Sequence, residues 1–98
     1  MAIELVAEPR AELGKEQAKK LRADNRLPGN VYGPGLPESR AISFNLHETE
    51  KTIKDHGRDA EYELVLEGQK YPVRIQDIEL EPIYKDFLHI DLLVKGNG

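Results

Sequence analysis

Apolar residues first occur on alternate positions. Ile3, Leu5 and Ala7 share one parity with Glu4 and Glu8 on the other, which predicts a half-buried strand stopped by Pro9. The period then changes: residues 15 to about 26 carry Ala18, Leu21 and Ala23 at helical spacing and end before Pro28, which predicts a helix. GNVYG at 29–33 predicts a short strand, and PGLPE after it a turn-rich loop.

Ile42, Phe44 and Leu46 restore the period of two. Asn45, followed three residues later by Glu48, has the spacing of a capping box and predicts a short helix from Leu46 to about His56, stopped by Gly57. Tyr62, Leu64 and Leu66, the turn pair Glu67-Gly68, and Tyr71, Val73 and Ile75 then spell a hairpin. Its second arm changes phase. Apolar residues move from odd positions to Ile78 and Leu80, so one residue must be absorbed near Gln76 and Asp77, which a β-bulge does. The last strand, FLHIDLLV, is expected to bury Leu88, Ile90, Leu92 and Val94, leaving His89 and Asp91 on the other face about 7 Å apart by the strand rise. The sum is an α+β fold: a small antiparallel β-barrel of about six strands with two short peripheral helices, closed so that no sheet edge is exposed.

Length supports one domain over residues 1–98, with 95–98 (KGNG) as a frayed tail or the point where a longer parent chain was cut. Hydrophobic residues at 39% and charged residues at 33% imply a folded chain with a thin core. Cysteine is absent, so thiolate metal sites and disulfides are excluded and a cytoplasmic location is the default. The N-terminus is acidic and no aliphatic run exceeds three residues, which argues against a signal peptide or a membrane span.

Charge is uneven. Residues 9–32 hold six cations (Arg10, Lys15, Lys19, Lys20, Arg22, Arg26) against Glu12, Glu16 and Asp24, a local +3; the rest of the chain then carries −7 within a total of −4. On a helical wheel Lys15, Lys19, Arg22 and Arg26 fall within about 60° of one another. A solvated helix face is the common reading of such a run, but solvated faces mix signs and this ridge contains no acid. At contact range its field outweighs the distant acids, since salt screens beyond ~8 Å. Phosphate is the ligand that suits it.

Other polar residues are individually weak signals. Asn30 carries no specific reading, Tyr32 reads as a core or rim aromatic, Gln76 at the bulge as a residue satisfying backbone groups, and His89 with Asp91 as an exposed pair that could meet base edges or 2′-hydroxyls in a shallow groove. No nucleophile motif, P-loop or paired-histidine metal spacing is present; HETE at 47–50 has a single histidine. No enzyme, cofactor or metal is expected.

The ordered set Arg10, Gly14-Lys15, Lys19-Lys20-Leu21-Arg22, LPGNVYG, Gln76-Asp77 and HID at 89–91 resembles the bacterial large-subunit ribosomal protein L-twenty-five family, which includes the general stress protein Ctc. The resemblance runs from residue 3 to about 94. It implies a small barrel that binds 5S rRNA in the large subunit, a monomer when free, with neither a membrane nor a small-molecule substrate as partner. Arg10, Lys15, Lys19, Lys20 and Arg22 would contact phosphates, and Tyr32, Gln76, His89 and Asp91 would recognise backbone and base edges. Many members carry a second C-terminal β domain, so this chain corresponds to the short form or to an N-terminal part. A competing reading is an acidic stress-response module that keeps the fold but binds protein, with little RNA affinity. A third, less favoured, is a tRNA-recognition module on a related barrel.

Overall fold

The computed structural model of the chain describes residues 2–9, 20–36 and 38–95. Six strands form a closed barrel: β1 (Ile3–Pro9), β2 (Arg26–Tyr32), β3 (Arg40–Asn45), β4 (Tyr62–Leu66), β5 (Gln69–Leu80) and β6 (Phe87–Val94), with helix α1 (Leu46–His56) between β3 and β4. Around the barrel the order is β1-β3-β2-β6-β5-β4, and β4 closes onto β1. Closure leaves no unpaired edge, as the sequence led us to expect.

Most ladders are antiparallel, but β1–β4 and β2–β6 run parallel. Alternation along a strand reports which face is buried and is blind to the direction of its neighbour. The alternation itself is obeyed: Leu5 and Ala7, Leu27 and Val31, Ile42 and Phe44, Tyr62 and Leu64, Val73 and Ile75, and Ile90 and Leu92 all point into one core. Ile53 of α1 joins it from outside the sheet. The hairpin turn is as predicted, with Glu67 at φ 52° and Gly68 at φ 80°, the two positive angles that a right-twisted two-residue turn requires.

The expected helix over 15–26 falls mostly outside the described residues. Residues 20–23 are helical. The helical stretch ends earlier than Pro28 suggests, because Asn25 adopts a left-handed φ of 62°; an Asn tolerates this conformation and stops a helix there. Arg26 therefore belongs to β2 and not to a helical ridge. Pro28 sits inside the strand, where its bias of the preceding residue towards extended backbone assists β2.

β6 departs from expectation at its start. Two register shifts occur against β5, one between Ile75 and Asp77 as predicted and another between Glu79 and Leu80. The second pairs Leu80 with Phe87 and Glu79 with His89, so Leu88 is the extra residue. Phe87 is buried in place of Leu88, which is only half-buried.

Candidate nucleic-acid interface

β2 and β6 lie side by side because Gly29 permits it. A Cβ at this position would come within 2.5 Å of the Ile90 carbonyl oxygen and 2.9 Å of the Ile90 Cγ2 atom. Real contacts to backbone are not that short, so any side chain here would push the two strands apart. With Gly29 opposite Ile90, the next residue, Asn30, falls opposite Asp91, and Tyr32 opposite Leu93. Strand period then places Asn30 and Tyr32 on the outward face beside His89 and Asp91.

Here the polar side chains meet. Asp91 Oδ1 lies 3.4 Å from His89 Nδ1, and His89 Nε2 lies 3.4 Å from Asn30 Nδ2. If Nδ1 carries the proton and donates to Asp91, Nε2 is left as the acceptor for the Asn30 amide, so the two neighbours favour one tautomer of the ring. The side chains of His89 and Asp91 are 27% and 31% exposed. That is enough for a ligand to reach them and little enough for the barrel to hold their orientation. Tyr32 is half-buried at the end of β2.

The first bulge supplies the flank. Gln76 and Asp77 are both exposed, and Gln76 Oε1 accepts from Arg74 Nη2 at 3.4 Å. The second bulge supplies a tether: the Leu88 carbonyl accepts from Arg22 Nη1 at 3.2 Å. This bond ties the basic segment to β6 one residue before His89. It uses one guanidinium nitrogen of the three, and a guanidinium carries five N–H donors in all.

Among the predicted phosphate contacts, Lys20 is exposed and Arg22 half-buried, and neither makes an ion pair within the described residues. Arg10, Lys15 and Lys19 lie outside them. Arg26 is neutralised: its Nη2 donates to the Ser43 carbonyl at 3.0 Å and to Ser43 Oγ at 3.1 Å, and Glu8 Oε2 stands 3.6 Å away. The structure thus joins Asn30, His89 and Asp91 into one unit with Arg22 anchored beside it. Asn30 is the residue that sequence reasoning undervalued, since only the parallel β2–β6 ladder brings it to His89.

Beside Arg22 a cavity of about 380 Å³ is lined by Asn25, Leu46, His47, Glu50, Glu81, Asp86, Phe87 and Leu88. Its three carboxylates make it a poor anion site, and Glu50 is already engaged with the Phe87 amide and with Lys54. Among the described residues no group of acidic or histidine side chains is arranged to hold a metal ion. Nor is any described helix long and apolar enough to cross a membrane.

The model of the Ribosomal L25p family matches residues 5–92. The chain belongs to this family. Among curated relatives, it is 33% identical over 94 residues to the large ribosomal subunit protein bL25 of Oceanobacillus iheyensis, covering 96% of this chain and 43% of that protein. It is 35% identical over 92 residues to the bL25 protein of Halalkalibacterium halodurans, covering 93% and 42%. Against the bL25 protein of Syntrophobacter fumaroxidans the identity is 32% over 96 residues, covering 93% and 48%. The chain therefore spans less than half the length of these L25p-family relatives.

Proposed function

We propose that this chain is a non-catalytic component of the large ribosomal subunit, working in the cytoplasm, and that it binds 5S rRNA through the outward face of β2 and β6. The observation that carries this reading is the Asn30–His89–Asp91 chain of contacts, fixed on a closed barrel and tethered through Leu88 to Arg22 of the basic segment. A shallow RNA groove offers 2′-hydroxyls and base edges, which a donor–acceptor row such as this one fits; the phosphates beside it suit Lys20, Arg22 and the predicted contacts Arg10, Lys15 and Lys19. Asp91 cannot meet a phosphate without repulsion. It orients His89 and accepts from an exocyclic amino group or a hydroxyl. Tyr32 and Gln76 border the same face.

His89→Ala is expected to weaken 5S rRNA binding roughly tenfold to a hundredfold, equivalent to about 1.4–2.7 kcal/mol, in a gel-shift titration at fixed salt. The double variant Lys19→Glu with Arg22→Glu should abolish binding with an unchanged circular dichroism spectrum. Undiminished binding by both variants would refute the reading, and equal competition by tRNA would move the specificity elsewhere. The rival reading of an acidic protein-binding module requires that no shift appear even at low salt.

A further inference from the structure

Six of the fourteen cations of this chain fall in one run, and the fold builds a second positive locus from residues scattered along the rest of it. Arg58 follows α1, Arg74 lies on β5 and Lys95 follows β6. Together with Asp59, Ala60, Ile75 and Gln76 they line an open cavity of about 430 Å³. The Lys95 amide donates to the Pro72 carbonyl at 2.8 Å, which holds the chain after β6 against β5. Three cations face one carboxylate there, in a chain whose total is −4.

Among the described residues Arg58, Arg74 and Lys95 make no ion pair, whereas Arg26, Arg40, Lys54 and Lys70 all do. Arg74 reaches only the neutral Gln76 amide. Like charges left unneutralised repel one another, and an anion between them relieves that repulsion. The position matters as much as the sign. Arg74 pairs across β6 with Leu93, which pairs in turn with Tyr32 of β2. This row lies two residues along the strands, about 7 Å, from the row holding Asn30 and Asp91.

We infer that Arg58, Arg74 and Lys95 form a second phosphate-binding site that continues the proposed RNA face beyond Gln76, at the end of the barrel away from the Arg22 tether. The inference rests on the RNA-binding reading given above. All three cations are exposed. The site is a shallow cradle with no walls to enclose a base or a small molecule, which favours backbone phosphates of an extended RNA over a free nucleotide. Phosphate contacts of this kind set affinity and register without reading sequence. An RNA bound to the polar row would be gripped on both sides, by the basic segment near Leu88 and by this cluster near Gln76.

The test compares the parent chain with the triple variant Arg58→Gln, Arg74→Gln, Lys95→Gln in 5S rRNA titrations from 50 to 200 mM salt. Removing three contacts should lower the slope of log K against log salt by about 2.1 to 2.7, so that the variant's loss of affinity over this range is smaller than the parent's by roughly 20- to 40-fold. A charge-conserving control, Arg58→Lys with Arg74→Lys, should keep the parent's slope. If the parent binds and the triple variant shows the same slope, the second site is refuted while the RNA-binding reading stands. If the parent does not bind at any salt, that reading falls and takes the second site with it. Titration with inorganic pyrophosphate separates the remaining source: micromolar binding that the triple variant loses would make this a small-anion site and overturn its assignment to RNA.

Discussion

Tyr62 shows how one side chain can serve both the core and an element outside it. Its ring is 1% exposed on the inward face of β4, and its hydroxyl donates to the Gly57 carbonyl at 2.7 Å, just past the end of α1. Burial raises the phenol above its ordinary value of 10.0, because the anion would be desolvated. The neutral form is thus the one that the fold favours. Its contribution is complete below pH 10 and is lost as pH climbs from there through the raised folded value. Tyr62→Phe is expected to cost about 1 kcal/mol at pH 7 in a denaturant titration, the net worth of a typical hydrogen bond, and to remove this residue's part of the alkaline destabilisation. A variant as stable as the parent at neutral pH, with the same alkaline limb, would mean that the bond contributes nothing.

At the scale of elements, α1 was readable in advance because its signals are local. Asn45 Oδ1 accepts from the Glu48 amide at 2.9 Å, and the Gly57 amide donates to the Ile53 carbonyl at 2.7 Å, so both caps sit where the sequence put them. Asn25 adds a feature that spacing could not reveal. Its carbonyl accepts from the Leu46 amide at 2.8 Å and its Oδ1 from the His47 amide at 3.1 Å, so the residue that stops the first helical stretch also satisfies the first two amides of α1, the second of them 22 positions away. Asn45→Ala should therefore destabilise by about 1 kcal/mol, measured as a fall in the denaturation midpoint with an unchanged slope. The hairpin and the bulge at Gln76 were legible for the same reason as α1: each is written within a few consecutive residues. The bulge at Leu88 was not, since Leu88, Ile90, Leu92 and Val94 keep one parity and only the partner strand β5 reveals the slip. Asn30 belongs to the same class. Its meeting with His89 depends on a parallel ladder between segments 59 residues apart.

For the molecule as a whole the governing question is distance. A net charge of −4 should repel an RNA polyanion, yet the proposed contact face carries cations at both ends, and these two facts act over different ranges. At 10 mM salt the screening length is about 30 Å, comparable with the 38 × 29 × 21 Å molecule, so an approaching RNA senses nearly all its charge. At physiological salt that length shrinks to about 8 Å, and only the face in contact is felt. Complexes steered by complementary fields associate much faster as salt is removed. Here the long-range repulsion offsets the attraction of the patches, so the association rate with 5S rRNA should change by less than about tenfold between 10 and 150 mM salt. The salt dependence of affinity should then appear mainly in the dissociation rate, where phosphate contacts are broken one by one. Stopped-flow measurement of both rates decides the matter. An association rate that climbs by orders of magnitude as salt is lowered would show that the patches command the field at a distance, and that the acidic remainder has no say in how RNA arrives.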